Sequence, residues 1–390
     1  MLLALAAMMA LFSVLVFRGV AEAQGELPTT PMPCVDGMAG PYPCEDIDFL
    51  SLMTRQEMGA GPDEMAANLW GWTDPDTGKK YVAQGTTART SFIDVSDPVN
   101  PVFLGDLPTP TIPATTYRDM KVYGNYLLIV SDAPSQAGLQ VFDLTKLRNV
   151  PNPPVTFTHD AHWDGLGNGH NLFVNEQTGY AYITRMTEPT LCSGAMLMVN
   201  VQDPLNPSFA GCYDDGGQSS DAYCVVYSGP DPDHQGAEIC FLASDNDILV
   251  ADVTDKGNPQ TLATLTYPDI LRAHLVWLTE DQQYGVSSDM NDEMQLGLNT
   301  RLFGWDFTDL DDPQLTGIYT GPTVASDHNV WIKGDRAYVG NFRAGLRVLD
   351  ISGSGLAIAI PEGAQARFQP DARLAPCLLR LGDAAPVAVV

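Results

Sequence analysis

The chain has 390 residues, 45% of them apolar and 17% charged, enough apolar material for one large domain or two small ones. Its formal net charge is −28, and such a surface repels phosphate backbones and anionic lipid, so no nucleic-acid or membrane-surface partner is expected. The acidity fits solubility in an extracellular or salty setting, or the binding of divalent cations, although no acidic cluster matches an EF-hand loop.

Residues 2–17 are almost wholly apolar and are followed by Arg18 and the small-residue site Ala21-Glu22-Ala23. This predicts a secretory signal over residues 1–23, cleaved after Ala23. The alternative is an uncleaved anchor, for which the apolar run is short. Residues 24–66 read as a strap ahead of the main fold, in which Cys34 and Cys44 enclose a Gly-Pro-rich turn. Cys192 and Cys212 flank a second turn, and Cys224 and Cys240 a third. Three local pairs predict three disulfides and an oxidising compartment, the alternative being buried free thiols. Cys377 is left over.

From residue 67 to 351 a strand ending on Asp or Asn recurs, followed in most copies by a Pro-bearing turn. The closing residues are Asp94, Asp143, Asn200, Asp252, Asp306 and Asp350, at intervals of 49, 57, 52, 54 and 44. A strand-rich unit at this period is a propeller blade. Each unit holds two strands before the phrase, the phrase itself, and one after it. The expectation is an all-β chain, a β-propeller of six recognisable four-stranded blades, or seven with one incomplete.

A second register opens the first strand of successive units with Arg118, His170, Ser220, His274 and His328, at intervals of 52, 50, 54 and 54. The residues after them are Asp119, Asn171, Asp221, Leu275 and Asn329. Inner strands line a propeller's channel, so one residue per blade at equal height would form a ring at the mouth. The loops joining second and third strands return to that mouth and carry Asp132, Asp289 and Asn341. The ligand-binding candidates are therefore Arg118, Asp119, His170, Asn171, Asp221, His274, His328 and Asn329. The candidate metal ligands are His170, His274 and His328 with Asp289 and Asp327, a donor set that suits zinc or, through its carboxylates, calcium. The competing reading is that the ring only hydrogen-bonds neighbouring blades together. His159 and His162 occupy a nearby loop, and His234 lies in an Asp-Pro turn at the opposite end, expected to be solvent-exposed.

There is no Gly-x-Ser-x-Gly elbow, phosphate-cradling glycine loop, His-Glu-x-x-His or dinucleotide fingerprint. Two functions stay open. One is a secreted or surface-displayed binding propeller whose ligand is a glycan, a protein or a cation. The other is a metal-dependent hydrolase or lyase working through the His/Asp mouth.

Several stretches together resemble the secreted proteins with LVIVD repeats known as the choice-of-anchor B family. They include CVDGMAGPYPCEDIDFLS from Cys34, WGWTDPDTGKKY from Trp70, SFIDVSDPVNP from Ser91, NVQDPLNPSFAGC from Asn200 and DHNVWIKG from Asp327. The resemblance covers residues 34–351 and implies a secreted or surface β-propeller, with no activity attached. It also implies His where this chain has Ser220. Residues 352–390 depart from the pattern: they hold nine Ala, no Lys, three Arg and three acids, and no Asp-Pro turn. They read as a divergent, poorly ordered tail.

Overall fold

The computed structural model describes residues 31–110, 117–132, 137–186, 192 and 196–352, and the backbone of 366–368, 374–381 and 387–389. The expected signal, with all residues preceding 31, lies outside the described residues. Six blades stand in a ring, the arrangement of a six-bladed β-propeller. Blade 1 runs Ala66–Thr73, Lys80–Thr86, Arg89–Asp94 and Val102–Pro108. Blade 2 runs Arg118–Tyr123, Tyr126–Ser131, Leu139–Asp143 and Ala161–Trp163. Blade 3 runs Asn171–Asn175, Tyr180–Thr184, Met196–Asn200 and Ser208–Tyr213. Blade 4 runs Ser219–Val226, Glu238–Ser244, Ile248–Asp252 and Gln260–Leu265. Blade 5 runs Ala273–Leu278, Tyr284–Asp289, Arg301–Asp306 and Gln314–Thr320. Blade 6 runs Val330–Lys333, Arg336–Gly340, Leu346–Asp350 and Ala366–Phe368.

The closing acid of each phrase has one local task. In all six units its Oδ1 accepts the backbone N–H two residues on: Ser96, Thr145, Gln202, Thr254, Thr308 and Ser352 donate to Asp94, Asp143, Asn200, Asp252, Asp306 and Asp350. This side-chain turn stops the strand and starts the reversal, which is why only Asp or Asn stands there. A register shift then recurs between third and fourth strands of blades 1, 3, 4 and 5. Each such bulge adds twist and splays the outer edge. In blade 1 it carries Gly105 at φ 146°, and a Cβ there would come within 1.9 Å of the Val155 carbonyl oxygen. The close approach exists because Val155–Thr156 adds a parallel fifth strand to that edge.

Between blades the faces are apolar. Phe92 and Phe142 stack where blades 1 and 2 meet, with Phe157 edge-on to both, and Phe241, Phe303, Trp305 and Phe307 fill the space between blades 4 and 5. Fully burying a side chain of this size contributes about 1.5–3 kcal/mol. A buried acid ties blades 3 and 4 away from the mouth. Glu238, buried, accepts from Asn175 Nδ2 (2.7 Å), Thr178 Oγ1 (2.7 Å), the Tyr182 hydroxyl and Lys256 Nζ (2.8 Å).

The strap strand Ile47–Thr54 pairs with Leu374–Leu381, which pairs with Val387–Val389. Ile47 and Phe49 pack on Leu346 and Val348 of blade 6, while Met53 and Met58 pack on Val82 and Ile93 of blade 1. The strap thus joins the last blade to the first. Within residues 352–390, read from sequence as a divergent tail, Leu374–Leu381 and Val387–Val389 supply this sheet's two partners and Ala366–Phe368 the outer strand of blade 6. Three disulfides pair Cys34–Cys44, Cys192–Cys212 and Cys224–Cys240, as the spacing predicts. Among the described residues no helix is long and apolar enough to cross a membrane.

Candidate functional site

First strands of successive blades lie side by side around the axis. Each starts at one end, the mouth, where the loops between second and third strands also arrive. The sequence candidates divide there into two groups.

The residues one step into the strands tie blades together. Asp119, buried, accepts from Asn68 Nδ2 of blade 1 (3.1 Å), from Lys121 Nζ (2.9 Å) and from Leu172 N of blade 3 (2.8 Å). Asn171 Nδ2 donates to the Ser220 carbonyl of blade 4 at 2.7 Å. Asp221 lies half-buried and its carboxyl is pushed up to about 8, first by burial and then by the Asp119 charge. Asn329 is buried and its Oδ1 has no hydrogen-bond partner. Two residues further in, Phe173, Tyr223 and Trp277 of blades 3, 4 and 5 meet with ring centroids 4.4–6.3 Å apart. Beside them the Lys121 ammonium sits 4.5 Å over the Trp70 ring. This aromatic layer has the same register as the polar one, and its recurrence in the sequence was the signal that could have found it.

Of the residues that open the strands, Arg118 is drawn between blades 1 and 2. It donates to the Thr86 carbonyl and to Gln140 Oε1, both at 3.3 Å, and burial lowers its guanidinium to about 10. The three histidines stay at the mouth. The His274 and His328 rings lie 3.8 Å apart, centroid to centroid, with planes 37° apart. Burial holds His274 well below the ordinary imidazole value, reinforced by His328 and His170. Burial, His170 and Arg272 likewise hold His328 down to about 4. Both are neutral at pH 7, and His274 Nδ1 is buried without a partner. His170 Nδ1 lies 3.5 Å from Asp132 Oδ2.

Of the carboxylates expected as metal ligands, Asp289 accepts on both oxygens, and Asp327 accepts through Oδ2 while its Oδ1 is buried without a hydrogen-bond partner. Asp289 accepts the Tyr267 hydroxyl and the N–H groups of Leu271, Arg272 and Asn291 at 2.8–3.1 Å, ordering the loop it begins. Asp327 accepts from Arg301 N at 3.3 Å and belongs to a buried group with Asp292 and Glu293. Burial and mutual repulsion raise Asp327 well above the carboxylate range and Glu293 to about 8. Among the described residues, the one trio of such groups with ligand atoms all within 4.8 Å of one another is Asp231, His234 and Asp311, at the other end of the propeller.

Loops that break the repeat add what the register did not show. Arg185 follows the second strand of blade 3, and Arg272 precedes the first strand of blade 5. Both point at Asp245 Oδ1, from 3.7 and 3.5 Å. Arg272 Nε also donates to Ser220 Oγ at 3.3 Å, so the position without His holds a guanidinium instead. Burial and the Arg185 charge lower the Arg272 guanidinium, and Arg185 Nη1 is buried with no hydrogen-bond partner. Two half-exposed rings flank the imidazoles: Tyr117 meets His170 edge-on at 4.8 Å, and Phe342 meets His328 at 5.0 Å. Arg185 and Phe342 both have left-handed backbones, φ 50° and 31°. Strain of that kind costs about 1–3 kcal/mol and gathers where side chains are held for a task. His159 and His162 sit at the outer strand of blade 2, where His162 Nε2 lies 2.9 Å from the Ala137 carbonyl oxygen.

No curated protein matches the chain. Solved structures similar to it include a functionally unknown protein from Desulfotomaculum acetoxidans DSM 771, 12% identical with a TM-score of 0.49, covering 80% of this chain and 90% of that one. A putative 6-phosphogluconolactonase from Bacteroides uniformis ATCC 8492 is 14% identical with a TM-score of 0.50, covering 73% and 82%. The computationally designed Ika8 protein is 10% identical with a TM-score of 0.48, covering 83% of each chain. Likeness at this level concerns fold alone. The family model that matches is the LVIVD repeat, over residues 326–354, the last repeat unit of a six-bladed β-propeller.

Proposed function

We propose that the protein is a secreted or surface-displayed binding propeller whose mouth takes a carboxylate-bearing glycan. The observation that carries this is the pair Arg185 and Arg272. Two guanidiniums, with Arg185 near enough to lower Arg272, share a single half-exposed carboxylate, in a chain of net charge −28. Arg185 Nη1 is buried and makes no hydrogen bond, with Asp245 Oδ1 at ion-pair distance only, 3.7 Å, so its N–H groups are left to donate to an anion. Tyr117 and Phe342 offer exposed ring faces on which a pyranose can stack beside its carboxylate. Three disulfides fit an oxidising, extracellular compartment, and a resemblance to the choice-of-anchor B family supports the same location.

Calorimetric titration with oligogalacturonate and with a neutral galactose oligomer tests the reading. Binding of the acidic oligomer alone, weakened tenfold or more by Arg272→Gln, is the expected result. Equal binding of both oligomers, or of neither, overturns it.

A second reading keeps the mouth but makes it catalytic, a hydrolase or lyase. Its support is that His274 and His328 are held neutral beside the arginines, as a general base requires. Turnover of the bound acidic oligomer, abolished by His328→Gln, would select it over simple binding.

A further inference from the structure

At the end of the propeller opposite the mouth, the loop 227–237 of blade 4 is docked on the loop 307–313 of blade 5. Tyr227 donates its hydroxyl to the Phe307 carbonyl at 3.1 Å, and Ser228 N donates to Gln282 Oε1 at 2.7 Å. Leu310 N donates to Asp231 Oδ2 at 2.8 Å, and Asp233 N donates to Asp231 Oδ1 at 3.0 Å. Asp231 is buried and oriented by two backbone groups, with a lone pair left on each oxygen. His234 was expected to be exposed in this turn. Its side chain is instead only 13% exposed, with Nε2 3.1 Å from Asp311 Oδ2. The two loops therefore fold a histidine and two aspartates together across 77 residues of sequence.

The geometry points to a divalent transition-metal site here, with His234 Nε2, Asp311 Oδ2 and one Asp231 oxygen as ligands. All three donor atoms lie within 4.8 Å of one another. The 3.1 Å His–Asp edge is close to the separation of about 3.4 Å between two ligands bound tetrahedrally at ~2.0–2.2 Å. One imidazole and two carboxylates suit zinc or manganese better than calcium, which takes oxygen ligands. The exposed side of Asp311 leaves a coordination position to water. Charge supports the same conclusion. Asp233, Asp309 and Asp312 stand in the same two loops, and none of these five aspartates has a Lys or Arg ion pair among the described residues. Backbone bonds to Asp231 supply the outer support that positions a metal ligand. A bound ion would fasten blade 4 to blade 5 at the end remote from the ligand mouth.

The test uses the full chain, stripped with a chelator and titrated with zinc chloride and with manganese chloride by calorimetry. One equivalent of at least one of the two metals should bind, tenfold or more weakly in His234→Gln and in Asp311→Asn, and equally well in His170→Gln at the mouth. The melting temperature of the stripped protein should rise with that metal in the wild type and not in the two loop variants. Both loop variants replace side chains at the surface end of the cluster, and their melting without metal reports that they fold. Failure of both metals to bind up to millimolar concentration overturns the site. So does binding that survives both loop substitutions unchanged.

Discussion

Replacing Glu238 with alanine should be the most destabilising change at the junction of blades 3 and 4. Glu238 is 4% exposed and is the common acceptor for Asn175, Thr178, Tyr182 and Lys256. The Lys256 ammonium is itself buried and otherwise bonds only the Val253 carbonyl at 2.7 Å, with the Tyr180 ring 4.3 Å beneath it. Removing the carboxylate strands a buried positive charge, which costs about 3–5 kcal/mol. For a propeller of this size the melting temperature should fall by roughly 4–8 °C. Removing both charges with Glu238→Gln and Lys256→Met leaves the remaining hydrogen bonds in place, and most of that loss should be recovered. Urea unfolding followed by tryptophan fluorescence, on the two single variants and the double, gives the coupling directly. A Glu238→Ala protein within 1 kcal/mol of wild type would refute the reasoning, as would a double variant no better than the sum of its parts.

Stability should fall as pH rises between about 6.5 and 8. In that window Glu293 and Asp221, pushed up to about 8, keep protons in the folded state that the unfolded chain has lost. The folded state binds more protons, so raising pH works against it, and Glu293→Gln should flatten the slope of melting temperature against pH. Below about 6.5 the sign reverses for His274 and His328, which are held neutral when folded and protonate on unfolding. Asp119→Ala should cost about 3–5 kcal/mol, since it leaves Lys121 without its carboxylate and Leu172 N–H unpaired, and a melting curve indistinguishable from wild type would contradict its role as a tie between blades. Opening Cys224–Cys240 with paired serines should cost roughly 3 kcal/mol by loop entropy, measured as a loss in urea midpoint.

The repeat was legible in the sequence because each unit solves the same local problem. A strand must stop and reverse, an Asp or Asn side chain bonds the N–H two residues on, and that requirement returns in every blade. The disulfides were legible for the same reason, each closing a short turn. The ring of strand-opening residues was visible as a register, yet its members separated in the structure: Arg118 into a blade junction, the histidines to the mouth. Asp289 looked like a ligand, and only the fold brought the Leu271 and Arg272 N–H groups onto it. Arg185, Arg272, Tyr117 and Phe342 lie where units differ, so no period marks them. Glu238 with Tyr182 and His234 with Asp311 stand 56 and 77 residues apart. Periodic spacing reports constraints that each blade meets within itself, whereas a site assembled from unequal loops exists only once the ring has brought those loops together.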